Sequence, residues 1–404
     1  MKVDTMRNID YYVGVPLCLI GTIIIKLINF FRGKEEREPK NVLLIELSEM
    51  GSAILVDPAM EKIKKDLKAN LFFVIFKKNK PSLDLLGTVP QENIFTIRAD
   101  GIVNLAVDTL SFLSWTRSKN IDTIIDLELF SRFTALLTGF SGASNTVGFH
   151  AFHNEGLYRG DFLTHKVAYN PHTHIAKNFI ALVNSLTAKS KEVPFSKTIV
   201  KNSEIKLKKI TFTEEEKGVV REIVKKNFET YNTSKDKIVL INPNASELLT
   251  QRRWPMDNYA ELIKEILKMD KKILVLITGS PGERGEAAML KRNVGSDRCI
   301  NFAGEVKFLQ LPILYSISDF MVSNDSGPGH FSSITDMLTF VLFGPETPNL
   351  YGSLGKSYPI YADLACSPCV SAWNHRKTAC TDNQCLKMIS PEMVMKEIKK
   401  RYKK

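Results

Sequence analysis

Three stretches gather acids, arginines and small polar residues at spacings that suit chemistry. The first is VSNDSGPGHFSS (Val322–Ser333), in which Asn324, Asp325 and Ser326 follow an apolar run and precede Gly327 and His330. A turn followed by a helix start offers backbone N–H groups and partial positive charge, which suit a diphosphate. Asp325 does not serve to attract that anion; it fixes the loop or accepts from a sugar hydroxyl. The bare pattern equally fits Asp–Ser capping with Gly–Pro turn residues. The second, NPNASELLTQRRWPMDNYAELI (Asn242–Ile263), sets Arg252 and Arg253 just before Trp254–Pro255. Arginine at a helix start suits a phosphate clamp, and Ser246 offers a hydroxyl; solvated surface charge is the plain alternative. The third, LITGSPGERGEA (Leu276–Ala288), places Glu283 after a Gly-rich turn, to accept from ribose hydroxyls or to cap a helix.

A fourth stretch, LSEMGSAILVDP (Leu47–Pro58), follows the apolar run NVLLIE and holds Glu49, Ser52 and Asp57. It sits where a strand turns into a helix, a common place for a catalytic group. Near the end, Cys366-x2-Cys369-x10-Cys380-x4-Cys385 occupies a loop-like region beside Pro368 and His375. Four thiolates suit a structural zinc, although the spacing is irregular for common zinc modules, and unliganded thiols or disulfides stand beside it.

These stretches must be positioned by regular elements. From Asn41 onward, continuous apolar runs (NVLLIEL, LFFVIF, IDTIIDLE) alternate with helical patterns, and the alternation restarts at KIVLINP after a polar, Lys-rich stretch. Such runs with helical crossovers indicate parallel, doubly wound sheets. A chain of 404 residues exceeds what one core usually fills. The expected fold class is therefore α/β, with two Rossmann-like doubly wound domains facing a cleft, preceded by a membrane-associated helix. The expected divisions are 1–40, 41–205, a connection at 206–236, 237–389, and a basic terminal helix at 390–404.

YYVGVPLCLIGTIIIKLINFF (Tyr11–Phe31) is apolar apart from Lys26 and Asn29. A spanning helix needs roughly 20 apolar residues, so a spanning anchor and a re-entrant or interfacial helix both fit, with a buried core helix as the alternative. Pro16 is expected to kink the run. Arg32, Lys34, Arg37 and Lys40 follow, which places the following domain in the cytoplasm by the positive-inside rule. The net charge of +11 favours anionic partners, and with no zinc-finger or RRM-like signature the expectation is a membrane or phosphates and no nucleic acid.

The three loops, with DLELFSRFTALLTGFSGASNTVGF (Asp126–Phe149), FVLFGPETP (Phe340–Pro348) and the Cys-rich tail, resemble glycosyltransferase family 9, the ADP-heptose:lipopolysaccharide heptosyltransferases, over residues 41 to 400. The resemblance implies a GT-B fold with the donor nucleotide on the C-terminal domain, the acceptor on the N-terminal one, and a last helix crossing back. It also implies inverting transfer with no essential catalytic metal. Arg252 falls at the family's basic phosphate contact, Ser246 at its hydroxyl contact, and Asp325–Gly327 at its donor loop. On the acceptor side, His172, His174 and Arg132 are candidates, with helix-start packing and a solvated arginine as their plain alternatives. In the family the loop after the first strand reads like SSxGD, with Asp as base; here that position is Ser52. A hydroxyl is too weakly basic to replace a carboxylate, so Glu49 is the expected base, with Asp57 a weaker alternative. The implied partners are a nucleotide-diphospho-sugar, ADP-sugar favoured, and a lipopolysaccharide-core or lipid-linked glycan at the inner membrane face. An epimerase and an inactive sugar-nucleotide-binding protein are the competing functions.

Overall fold

The computed structural model describes residues 3–32, 37–48, 50–152, 158–188, 194–371 and 376–402. The chain divides into two compact units, Met1–Lys206 and Leu207–Lys404.

In the first unit, strands β1 (Asn41–Ile45), β2 (Asn70–Phe76), β3 (Ile94–Ile97), β4 (Thr123–Asp126), β5 (Asn145–His150) and β6 (His165–Ala168) form a parallel sheet. Their order is β3-β2-β1-β4-β5-β6. The middle strands are uniformly buried because helices cover both faces. The helices are α1 (Val3–Tyr12), α2 (Gly14–Arg32), α3 (Met50–Lys62), α4 (Pro81–Leu86), α5 (Ile102–Ser118), α6 (Arg132–Phe140) and α7 (Ile175–Ser185). Helix α3 packs on α4 and α7, while α5 and α6 pack together. The expected kink near Pro16 takes the form of a break at Val13, between α1 and α2. Proline clashes with the carbonyl four residues earlier, so the disruption falls one turn upstream and leaves Pro16 in the first turn of α2.

The second unit repeats the plan with β7 (Lys237–Asn242), β8 (Ile273–Ile277), β9 (Cys299–Asn301), β10 (Phe320–Asn324), β11 (Leu338–Phe343) and β12 (Ser357–Tyr361). The order β12-β11-β10-β7-β8-β9 is the same topology read from the other edge. Its helices are α8 (Glu214–Asn227), α9 (Met256–Met269), α10 (Arg284–Val294), α11 (Leu311–Ser316), α12 (Gly327–Phe331), α13 (Pro348–Tyr351), α14 (Gln384–Lys387) and α15 (Pro391–Arg401). The stretch read as a connection supplies α8, whose Val220 and Val224 are buried and which packs on α11. The resemblance implied that the last helix crosses back to the first domain. Instead α15 packs on α9 of its own unit, burying Val394, Met395 and Ile398, and Tyr402 donates to Asp319 Oδ1 at 2.7 Å.

Trp254 links the start of α9 to the segment before α15. It is buried, meets Tyr259 edge-on at 4.8 Å and donates from Nε1 to the Ile389 carbonyl at 2.8 Å. Trp254→Phe leaves that carbonyl unsatisfied and opens space in the core. The expected loss is about 2–3 kcal/mol in the urea-unfolding stability of the full chain.

Candidate active site

The donor-side loops of the second unit leave the C-terminal ends of β7, β8, β10 and β11. Asn324, the last residue of β10, is fully buried and holds three of these segments together. Its Oδ1 accepts from the Trp254 N–H at 3.1 Å and the Tyr259 hydroxyl at 3.0 Å, and its Nδ2 donates to the Pro243 carbonyl at 2.7 Å. Asn324 is thus a clamp whose hydrogen-bonding groups face the protein.

Around this clamp lie four charged side chains. Arg252 Nη1 stands 3.6 Å from Glu346 Oε2 and 4.0 Å from Asp325 Oδ2, and Arg376 Nε stands 3.4 Å from Glu346 Oε1. Arg376 also stacks over the Tyr351 ring at 4.9 Å. Burial pushes the Glu346 carboxyl well above its ordinary value, and the charge of Asp325 adds to the rise while Arg252 opposes it. Two guanidiniums thus face two buried carboxyls, and burial biases one of these, Glu346, toward its neutral form. Among the described residues, Arg252 Nε, Asp325 Oδ2 and Asn244 Nδ2 are buried without a hydrogen-bond partner. Buried polar atoms are nearly always paired, so orphans gathered at strand ends mark a place for a polar ligand.

The other donor-side candidates divide. Arg253 donates from Nε and Nη2 to the Ala245 carbonyl at 3.2 and 3.0 Å, bracing the loop that carries Ser246, which is exposed. Glu283 caps its own turn, accepting from the Ser280 N–H at 2.6 Å, as the alternative reading had it. A side chain at Gly279 would crowd Asn244 Nδ2 at 3.0 Å and Glu283 Oε2 at 3.1 Å, so those two groups flank one bare stretch of backbone. Ser326 Oγ donates to the Asn324 carbonyl at 3.2 Å, and Gly327 opens α12, which contains a half-buried His330. Helix α12 has only five residues, so local N–H groups and not a long macrodipole would meet an anion there.

The Cys-rich segment braces two of these loops. The Cys369 and Val370 N–H groups donate to the Pro345 carbonyl at 3.0 and 3.1 Å, beside Glu346. Gln251 Nε2 donates to the Cys380 carbonyl at 3.0 Å, and Asn383 Nδ2 donates to the carbonyls of Gln251 and Arg253 at 3.0 and 3.2 Å. Burial raises the Cys385 thiol, and the neighbouring thiols of Cys369, Cys380 and Cys366 add to the rise. Among the described residues, no group of three or more His, Cys, Asp or Glu side chains is arranged to hold a metal ion. His375 lies outside the described residues.

In the first unit the loop after β1 is held by a carboxylate that sequence reasoning did not single out. Glu128 Oε1 accepts from the Leu47 and Ser48 N–H groups at 3.1 and 3.2 Å and from Ser48 Oγ at 2.8 Å. Arg159 donates to the Glu128 carbonyl at 2.6 Å and the Ser131 carbonyl at 2.9 Å, and pairs with Asp126. Burial raises both carboxyls; the Ser48 hydrogen bond opposes the rise at Glu128 while the Asp126 charge reinforces it. The expected base, Glu49, lies outside the described residues. Ser52 is half-buried in the first turn of α3. Asp57 is buried and accepts from Thr88 Oγ1 at 2.5 Å, a packing role within the unit.

The acceptor-side candidates are not brought together in one cluster. Arg132 is 2% exposed; Nη1 pairs with Asp10 at 3.1 Å and Nε donates to the Tyr158 carbonyl at 2.9 Å. Its guanidinium is engaged with the N-terminal helices, because the same chain that supplies the arginine supplies its counter-ion. His174 caps α7, accepting from the Ala176 N–H at 3.2 Å. His172 is exposed. Sequence reasoning missed Asn244, Glu346, Arg376 and Glu128. All but Arg376 stand within a few residues of a strand end, which is the signal that marks them.

A family model, Glycosyltransferase family 9 (heptosyltransferase), matches residues 111–379. Lipopolysaccharide heptosyltransferase 2 of Salmonella typhimurium is 30% identical over 99 residues, 24% of this chain and 28% of that protein. Lipooligosaccharide heptosyltransferase 2 of Campylobacter jejuni is 27% identical over 169 residues, 41% of this chain and 51% of that protein. The chain thus spans between about a quarter and about half the length of these curated relatives. Among solved structures, E. coli ADP-heptose lps heptosyltransferase II superposes with a TM-score of 0.66 at 18% identity, covering 90% of this chain and 98% of that one. That likeness establishes the fold, of the GT-B type.

The Glu346 carboxyl, raised by burial, holds its proton in the folded protein above the pH at which the unfolded chain releases it. Its contribution is fully present below the ordinary carboxyl value of 4.5 and is lost as pH rises toward the raised one. Glu346→Gln, which mimics the protonated form, is expected to raise the Tm at about pH 8, with the gain shrinking toward about pH 4.5. Thermal unfolding of both proteins across that range checks it.

Proposed function

Because the chain belongs to glycosyltransferase family 9, we propose that it is an inverting glycosyltransferase using a nucleotide-diphospho-sugar. An ADP-heptose-like donor is favoured, since ADP-heptose stands in the name of the solved E. coli relative. The acceptor would be a lipopolysaccharide-core or other lipid-linked glycan at the cytoplasmic face of a membrane. The observation that carries this reading is the buried cluster of Arg252, Arg376, Asp325 and Glu346, in which Arg252 Nε and Asp325 Oδ2, with Asn244 Nδ2 nearby, have no hydrogen-bond partner among the described residues.

The roles follow from charge. As the acceptor hydroxyl attacks the anomeric carbon, its proton passes to a carboxylate. The bond to the diphosphate breaks, and the electron pair leaves on the phosphate oxygen. Arg252 would stabilise that growing charge in place of a metal ion. Asp325 Oδ2 and Asn244 Nδ2 would meet hydroxyls of the donor. The base would come from the loop after β1, with Glu49 the nearest unassigned carboxylate to Ser52 and Glu128 the residue that positions the loop.

A second reading, donor binding without turnover, is supported by the resemblance noted in the sequence, in which Ser52 falls where the family's loop is expected to carry its acid. Thermal shift with ADP-, GDP-, UDP- and dTDP-sugars separates the cases. A shift with one donor, reduced at least about tenfold in affinity by Arg252→Ala, is expected; no shift with any of them sinks the donor-site reading. In a transfer assay, Glu49→Gln is expected to lower kcat by about a hundredfold or more with little change in donor affinity. Glu128→Gln is expected to give a smaller loss of kcat, accompanied by a shifted pH profile. Full turnover by Glu49→Gln overturns that residue's role, and turnover by neither enzyme nor variants supports the second reading.

A further inference from the structure

Helix α2 is apolar enough to cross a membrane by length and composition, yet one side of it is docked along α6 of its own unit. Cys18 is fully buried against Ala135 and Phe162, and a side chain at Gly21 would press on the rings of Phe140 and Phe162 at 3.1–3.2 Å. At Gly14 an added Cβ would lie 2.8 Å from Arg132 Cβ. These residues recur at helical spacing and form one stripe. Polar contacts fix the seam at both ends. Asp10 pairs with the buried Arg132, the Asp161 N–H donates to Thr22 Oγ1 at 2.9 Å, and Lys26 pairs with Asp161 at 2.8 Å. Withdrawing α2 into a bilayer as a lone spanning helix would uncover that stripe and leave Arg132 buried without its counter-ion.

The opposite side of the same helix is bare. Leu17, Ile20, Ile23, Ile24 and Leu27 are exposed, with Tyr12 at one end and Phe30 and Phe31, 82% and 80% exposed, at the other. Helix α5 lies on the same side of the sheet as α6, because both crossovers run in the same direction along the strand order. It presents Val103, Val107 and Leu110, spaced as one helical face and 76%, 50% and 70% exposed. Met6 of α1 packs on the cluster of Phe112 and Leu137 that α5 and α6 share, so the N-terminal helices belong to this layer.

We propose that this layer is a monotopic membrane-binding face: α2 lies docked in the plane of an anionic bilayer, and the Val103–Val107–Leu110 stripe is a second apolar contact. The inference rests on the membrane reading above and specifies its geometry. Charge selects the lipid over a second copy of the chain. Exposed Arg37 and Lys40 follow α2 in the chain, with Glu38 between them, and the whole chain carries +11, which attracts anionic headgroups and repels its own kind. Aromatic residues at the helix ends suit the headgroup level.

Two measurements on the full chain test this. In sealed inside-out membrane vesicles, a tag at the N-terminus is expected to be open to proteinase K; a protected tag means that α2 spans, which overturns this inference and leaves the membrane reading standing. In sedimentation with phosphatidylglycerol-containing vesicles, Val103→Glu/Val107→Glu/Leu110→Glu is expected to weaken binding at least about tenfold, with the Tm and donor affinity unchanged. Equal binding by the triple variant removes α5 from the surface. Self-association of the wild-type chain without vesicles, abolished by the triple variant, assigns the face to a second copy instead. No binding to any vesicle overturns both the inference and the membrane reading.

Discussion

The strand-end loops of the second unit depend on one carboxamide. Asn324 ends β10 and satisfies, with its two polar atoms, three groups that would otherwise be stranded in the core: the N–H of Trp254, the hydroxyl of Tyr259 and the carbonyl of Pro243. Each marks a segment that carries a site residue. Trp254 follows Arg252, Pro243 precedes Asn244, and Asn324 itself precedes Asp325. Asparagine suits this junction because it donates and accepts at once from a short, planar group. An aspartate there would face the Pro243 carbonyl with no proton to give, and a leucine would take this partner from the Trp254 N–H and the Pro243 carbonyl and leave the Tyr259 hydroxyl only its 3.5 Å contact to the Asn242 carbonyl. The strand ends supply the direction of the loops, and this side chain supplies their register.

Both units bury more carboxyl groups than isolated folding would favour, and both place arginine beside them. The outcomes differ. In the first unit Glu128 Oε1 is met by three donors from the β1 loop, and Arg159 is met by two carbonyls and Asp126, so the cluster is a closed network that stiffens a loop. In the second unit the contacts between Arg252 and its acids are 3.6 and 4.0 Å, longer than good hydrogen bonds, and polar atoms of Arg252 and Asp325 lack partners. The Cys-rich segment braces this open cluster from two sides, its backbone bonding Pro345 and the Gln251 side chain, and its Asn383 side chain donating to the carbonyls of Gln251 and Arg253.

The fold was legible because its strands are buried on both faces and so read as unbroken apolar runs. The exceptions are instructive. His165–Ala168 and Ser357–Tyr361 are the last strands at one edge of each sheet, the former met on its outer side only by a single bridge from Val167 to Phe195, and they contain Lys166 and Pro359, which break the apolar run. The donor loops were legible as positions, since glycines and arginines crowd the strand ends. Their division of labour was not. Nothing in the spacing distinguishes Arg252, which faces the buried acids Asp325 and Glu346, from Arg253, which is turned onto its own loop. Arg132 shows the same limit: its partner Asp10 lies 122 residues away in sequence, and only the docking of the N-terminal helices reveals it.

The loop after β1 is where sequence and structure meet on the chemistry. A serine hydroxyl is too weakly basic to hold a proton taken from a sugar hydroxyl, so under the proposed transfer the base is sought among the carboxylates. Glu128 is close in the fold, yet its Oε1 is already committed to three donors, and those bonds favour its charged form and lower its appetite for a proton. Burial acts in the other direction, which keeps the carboxyl from becoming inert. The arrangement suits a supporting acid better than a base. By fixing Leu47 and Ser48, Glu128 holds the backbone at the point where the loop leaves β1. Arg159, bonded to the Glu128 and Ser131 carbonyls, ties that point to the end of β4, so one buried network sets the start of the loop from two strands at once.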